Sequence, residues 1–135
     1  MKRLMDQEGL PFGERNMTFN SRRSQELAAW ADTQPDGWAF HDALFRAYFV
    51  DGANLADPET LIALAGTCGL PIATARQVLE QKSFAAAVDQ DWAMCRAWGV
   101  TGVPTFIIGE SALVGAQPLE ALEQLVCSSG AQLRG

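Results

Sequence analysis

Three cysteines, one histidine and one proline at the head of an apolar run are the residues from which this chain could build chemistry: Cys68, Cys95, Cys127, His41 and Pro104. No CxxC pair occurs and no Cys or His residues stand at metal-ligand spacing, so no metal site is expected. A Ser-His-Asp or Cys-His device would have to run through His41, which shares an apolar helical face with Trp38 and Leu44 and reads as a partly buried structural residue. Cys68 follows Leu61 and Leu64 on one stripe, and Cys95 falls between Trp92 and Trp98. Both read as core cysteines. Cys127 lies near the end of the last helical pattern, the wrong pole of a helix for a thiolate. No catalytic residue is expected among them. Glu80, Asp89 and Asp91 fit a solvated helix face with nothing basic beside them.

The segment Gly99-Val100-Thr101-Gly102-Val103-Pro104-Thr105-Phe106-Ile107-Ile108-Gly109 is more informative. A strand that begins with proline gives up a ladder donor. A cis Val103–Pro104 bond would turn the chain and leave the Val103 backbone free for an extended partner. An ordinary trans start to the strand is the alternative.

The elements that position this segment are mostly helices. Asn20 and Ser21 precede a stripe of Leu27, Ala28, Trp30 and Ala31, broken at Thr33–Gly37. Trp38, His41, Leu44, Phe45, Tyr48 and Phe49 form a second amphipathic helix ending by Gly52, and the aromatic stripe reads as helix packing. Asp57 caps a third, with Pro58 in its first turn and Gly69 as its stop. Helices are predicted next over about 71–81 and from Ser83 to Gly99, the latter with Phe84, Val88, Trp92, Cys95 and Trp98 on one face. Two strands, 103–108 and 112–114, meet at a tight turn at Gly109-Glu110. Pro118 opens a last helix before a polar tail at 128–135.

Composition narrows the function classes. Hydrophobic residues make up 48% and charged residues 19% of 135 residues, a globular balance sufficient for one domain. The net charge of −6 offers no basic excess for a phosphate backbone, so nucleic acid is not an expected partner. No apolar run is long enough to span a membrane, and the N-terminus lacks the apolar core of a secretory leader. A cytoplasmic protein is expected.

Several stretches together resemble the DsbA family of thioredoxin-fold proteins, and most closely its FrnE-like branch and the 2-hydroxychromene-2-carboxylate isomerases. They are Glu8–Phe12, Ala43–Phe49, Leu61–Ala65, Asp91–Ala93, Gly99–Phe106 and Gly115-Ala116-Gln117-Pro118. The resemblance implies an α/β class: a truncated thioredoxin-like fold in a single domain over 1–135. A mostly helical insertion would occupy about 20–99, and a C-terminal strand-strand-helix about 100–128. It also implies a cis Pro104 and a substrate-binding loop of Val103, Pro104 and Thr105.

The sequence carries no counterpart of the family's opening strand-helix-strand with its CxxC. A helix N-terminus there favours the thiolate that attacks a disulfide. The implied activity is thiol-disulfide oxidoreduction on a protein or small-thiol substrate, without standard CxxC activity in this chain. No cofactor is expected beyond glutathione as a thiol co-substrate. A glutathione-linked isomerase or transferase is the alternative, although Val103 stands where that branch tends to place serine. A non-catalytic peptide-binding or self-assembling module is another. Two strands alone make a marginal sheet with open edges, so a homo-oligomer is expected. A reading frame whose Met1 lies inside a longer gene would equally leave such an edge.

Overall fold

The computed structural model describes residues 2–14 and 17–130. Its helices are α1 (Lys2–Gln7), α2 (Arg22–Ala31), α3 (Trp38–Phe49), α4 (Pro58–Thr67), α5 (Ile72–Gln81), α6 (Ala85–Ala97) and α7 (Leu119–Ser128). Strands β1 (Thr105–Ile108) and β2 (Ser111–Val114) lie between α6 and α7. The chain divides into two compact units, Met1–Gln90 and Asp91–Gly135, with the boundary inside α6. The mixed helical and two-stranded architecture agrees with the expected class. Residues 131–135 of the expected tail lie outside the described residues.

In the first unit the sequence signals translate directly into element ends. Asp57 accepts hydrogen bonds from the Thr60 backbone N–H (2.9 Å) and hydroxyl (2.8 Å), which satisfies an orphan donor at the start of α4. Leu27, Phe40 and Leu61 are fully buried where α2, α3 and α4 meet. Each contributes about 1.5–3 kcal/mol by leaving water. Ala75 and Val78 bring α5 onto the same core. Sequence periodicity gave no sign of α1, which buries no residue.

α3 departs from expectation. Its buried residues are Phe40, Leu44 and Ala47, spaced four and three apart, whereas Trp38 and Phe45 are 66% and 61% exposed. At 3.6 residues per turn, Trp38, Phe45 and Phe49 fall opposite the Phe40 face. The helix is therefore apolar on two sides: of the expected aromatic stripe Tyr48 packs against the core, whereas Trp38 and Phe45 do not. Phe49 stacks with Phe45 at 6.1 Å between ring centroids and meets Phe12 at 6.2 Å.

α6 brings two more corrections. Val88 is its one buried residue, and residues 91–99 are all exposed, so Cys95 with Trp92 and Trp98 is not core. Periodicity marks a helical face but not whether anything covers it. Asp89 does have a basic neighbour, Arg22, whose Nη1 lies 2.7 Å from its Oδ1. Arg22 also holds Glu26 through Nε at 2.7 Å and donates from Nη2 to the Ala85 carbonyl at 2.8 Å.

In the second unit β1 and β2 pair antiparallel, with Thr105 opposite Val114 and Ile108 opposite Ser111. Gly109 and Glu110 make the turn. Gly109 takes φ +60° and Glu110 stays negative, the pattern of a II′ hairpin turn with glycine first. α7 packs against β2.

Candidate functional site

The loop that leads into β1 is built from its neighbours' backbone. The Val103–Pro104 peptide bond is cis. Val103 is 89% exposed and Pro104 is exposed, while Thr105 is half-buried and donates its hydroxyl to the Gly102 carbonyl at 2.6 Å. Thr105 thus closes a short turn below Val103, and the structure brings the three expected loop residues together at the start of the hairpin.

Ladder parity then decides which backbone groups are open. Gly115 donates to the Pro104 carbonyl at 2.7 Å, so this pair continues the β1–β2 register as a bonded pair. Bonded and non-bonded pairs alternate along an antiparallel ladder. Phe106 and Ile108 therefore direct their N–H and C=O toward β2. Thr105 and Ile107 direct theirs away, to an edge that no strand covers among the described residues. At the other edge the Val114 carbonyl accepts the Gln117 side-chain amide at 2.7 Å. The β1 edge is the more open of the two, and the exposed Val103 stands at its head.

Two residues that sequence reasoning left without a role emerge here. Gly115, at φ +85°, reaches the Pro104 carbonyl from a conformation that disfavours any side chain. Gln117 occupies the β2 edge, and Pro118 ends that link at the start of α7. The Gly115–Pro118 stretch marks these residues in the sequence, but the bonds they make depend on register across the hairpin and are not marked there.

All three cysteines lie at helix C-termini. Cys68 is the C-cap of α4, Cys95 falls in the last turn of α6, and Cys127 in the last turn of α7. That pole carries partial negative charge, opposite to the setting that favours a thiolate. Cys68 is half-buried against the helical core, its thiol 3.8 Å from the Ala39 carbonyl, in keeping with a packing role. Cys95 and Cys127 are exposed. His41 is half-buried and its Nε2 lies 2.7 Å from Asp32 Oδ1, tying the start of α3 to the end of α2. No three His, Cys, Asp or Glu side chains cluster as a metal site among the described residues. No helix among them is long and apolar enough to cross a membrane.

Comparison with known proteins converges on one fold. The family model for the DSBA-like thioredoxin domain matches residues 1–126. An uncharacterized protein, YwbO, of Bacillus subtilis (strain 168) is 30% identical over 93 residues, which is 67% of this chain and 46% of that protein. The structure of 2-hydroxychromene-2-carboxylate isomerase superposes with a TM-score of 0.77 at 21% identity, covering 96% of this chain and 62% of the isomerase. A Nitrosomonas europaea protein provisionally named a protein disulfide isomerase gives a TM-score of 0.63 at 23% identity, over 94% of this chain and 68% of its own. The chain thus spans about half the length of the curated relative it matches.

Proposed function

Because the chain belongs to the DSBA-like thioredoxin domain family, we propose that Val103, Pro104 and Thr105 form the substrate-binding loop of a thiol-disulfide oxidoreductase-like protein. The loop holds an extended protein segment by its backbone. The observation that carries this reading is the open β1 edge, on which Thr105 and Ile107 face away from β2 below the exposed Val103. An extended peptide added there gains main-chain hydrogen bonds along a row of ready donors and acceptors.

None of Cys68, Cys95 and Cys127 supplies standard CxxC exchange in this proposal. Exchange needs a thiolate that attacks a disulfide sulfur and releases the other sulfur as the leaving thiolate. Three helix C-termini are poor places to generate one. The chain requires no bound cofactor, and its unpaired cysteines suit a reducing cytoplasm. It pairs with a second copy through the open edge and the sheet face shared by Ile107 and Val114, about two-fifths and one-half exposed.

The likeness to 2-hydroxychromene-2-carboxylate isomerase favours a second reading, a glutathione-linked isomerase. That likeness concerns the fold, and Val103 offers no side-chain hydroxyl to orient a thiol. An amide-resolved titration with an unstructured cysteine-containing peptide separates the readings. Shifts confined to residues 102–107 are expected. Saturable calorimetric binding of glutathione with no response to the peptide would overturn the first reading in favour of the second.

A further inference from the structure

The first unit carries a cavity that the Pro104 loop does not involve. We propose that it binds a small organic carboxylate bearing an apolar tail.

The cavity lies among α2, α4 and α5 and has a volume of about 340 Å³, within the range of small-ligand sites. Its apolar part is half-buried Pro58 and Leu79, with Ile62, which is 4% exposed, beneath them. Around them stand Arg23, Arg76 and Lys82, with Glu59 and Glu80. In a chain of net charge −6, this one cavity has an excess of one positive charge.

The cations differ in what they already hold. Arg76 is engaged: its two terminal nitrogens donate to the two oxygens of Glu59 at 2.5 and 2.9 Å, a bidentate pair that forms a wall. The guanidinium hydrogen bonds hold the Glu59 carboxyl below its ordinary range, so it stays charged and fixed. Arg23 gives one N–H to the Ala56 carbonyl at 3.1 Å and retains further donors. Among the described residues the Lys82 side chain makes no hydrogen bond or ion pair; only its backbone is engaged, with Val78 and Ala85. Lys82 occupies the C-cap of α5 at φ +52°, a left-handed position where glycine is the ordinary choice.

Arg23 and Lys82 are therefore the donors left for a ligand. One negative charge balances the excess, whereas a phosphate dianion would leave a net negative charge beside Glu59 and Glu80. The part-exposed Pro58 and Leu79 side chains give an apolar tail surface to cover, and inorganic ions lack such a tail.

Hexanoate is the probe, with hexanol and inorganic phosphate as comparators, in an amide-resolved titration of the full chain. Saturable shifts at Arg23, Ile62 and Lys82 are expected at hexanoate concentrations on the order of millimolar, as suits so small a ligand. Phosphate and hexanol should each bind about tenfold more weakly or not at all. Lys82→Gln and Arg23→Gln should each weaken hexanoate about tenfold while the remaining amide spectrum stays unchanged. Absence of saturation, equal binding of either comparator, or wild-type affinity in both variants would overturn the proposal.

Discussion

Gly115 donates its backbone N–H to the carbonyl of Pro104 at 2.7 Å, and it does so from φ +85°. The bond links the end of β2 to the loop ahead of β1, so two separate sequence stretches form one local structure. Replacing Gly115 with alanine forces a side chain into the left-handed region, at a cost of about 1 kcal/mol. Urea unfolding of Gly115→Ala should show that loss, and peptide-induced shifts at residues 102–107 should weaken with it. Unchanged stability and binding would mean that Gly115 does not hold the loop.

Arg22 clamps α2 to the start of α6 through Glu26, Asp89 and the Ala85 carbonyl. Hydrogen bonds to Asp89 and then Glu26 hold its guanidinium above even its ordinary basicity. Glu26 is 5% exposed, so Arg22→Ala strands a buried carboxylate and should lower Tm by several degrees. The double variant Arg22→Met with Glu26→Leu removes both charges and should recover much of that loss. A double variant less stable than Arg22→Ala would show that the pair itself, and not the stranded charge, is what matters.

Asp57 links stability to acid. The Thr60 hydroxyl, followed by the Thr60 backbone N–H, holds the Asp57 carboxyl below its ordinary value of 3.8. A depressed carboxylate adds stability that is present above the unfolded value and is lost as pH falls through the folded one. Tm measured from pH 5 downward should therefore drop less steeply in Asp57→Asn than in the wild type below about pH 4. Parallel curves would remove Asp57 from the account.

The open β1 edge predicts association. Sedimentation at micromolar concentration should give a mass above one chain. Ile107→Lys, which places a charge on that edge, should shift it toward the monomer. A wild-type mass of one chain would contradict the pairing proposed for this edge.

Much of this was legible before any coordinates. The caps and stops of α4, with Asp57, Pro58 and Gly69, and the hairpin around Gly109 follow from local chemistry that tertiary packing did not overrule. Val103, Pro104 and Thr105 were legible as a loop, whereas the part of Gly115 and Gln117 was not, because it depends on register across the hairpin. Exposure was the harder question. Trp38 and Phe45 on α3, and Trp92, Cys95 and Trp98 on α6, have apolar periodicity as regular as that of a core. Periodicity cannot distinguish a covered face from an open one. α3 hides the ambiguity further, since Phe40, Leu44 and Ala47 make a second face at the same spacing. Asp89 was misread for a related reason: its partner Arg22 lies 67 positions away in the chain.

The central claim is that this chain holds a substrate at Val103–Thr105 without a reactive thiol of its own. The most direct measurement is thiol-disulfide exchange on a fluorescent disulfide peptide with glutathione, comparing the wild type with a variant carrying Cys68→Ala, Cys95→Ala and Cys127→Ala. The account predicts the same uncatalysed rate from both. Catalysis by the wild type that disappears in the variant would contradict it and make one of those helix-terminal cysteines the nucleophile.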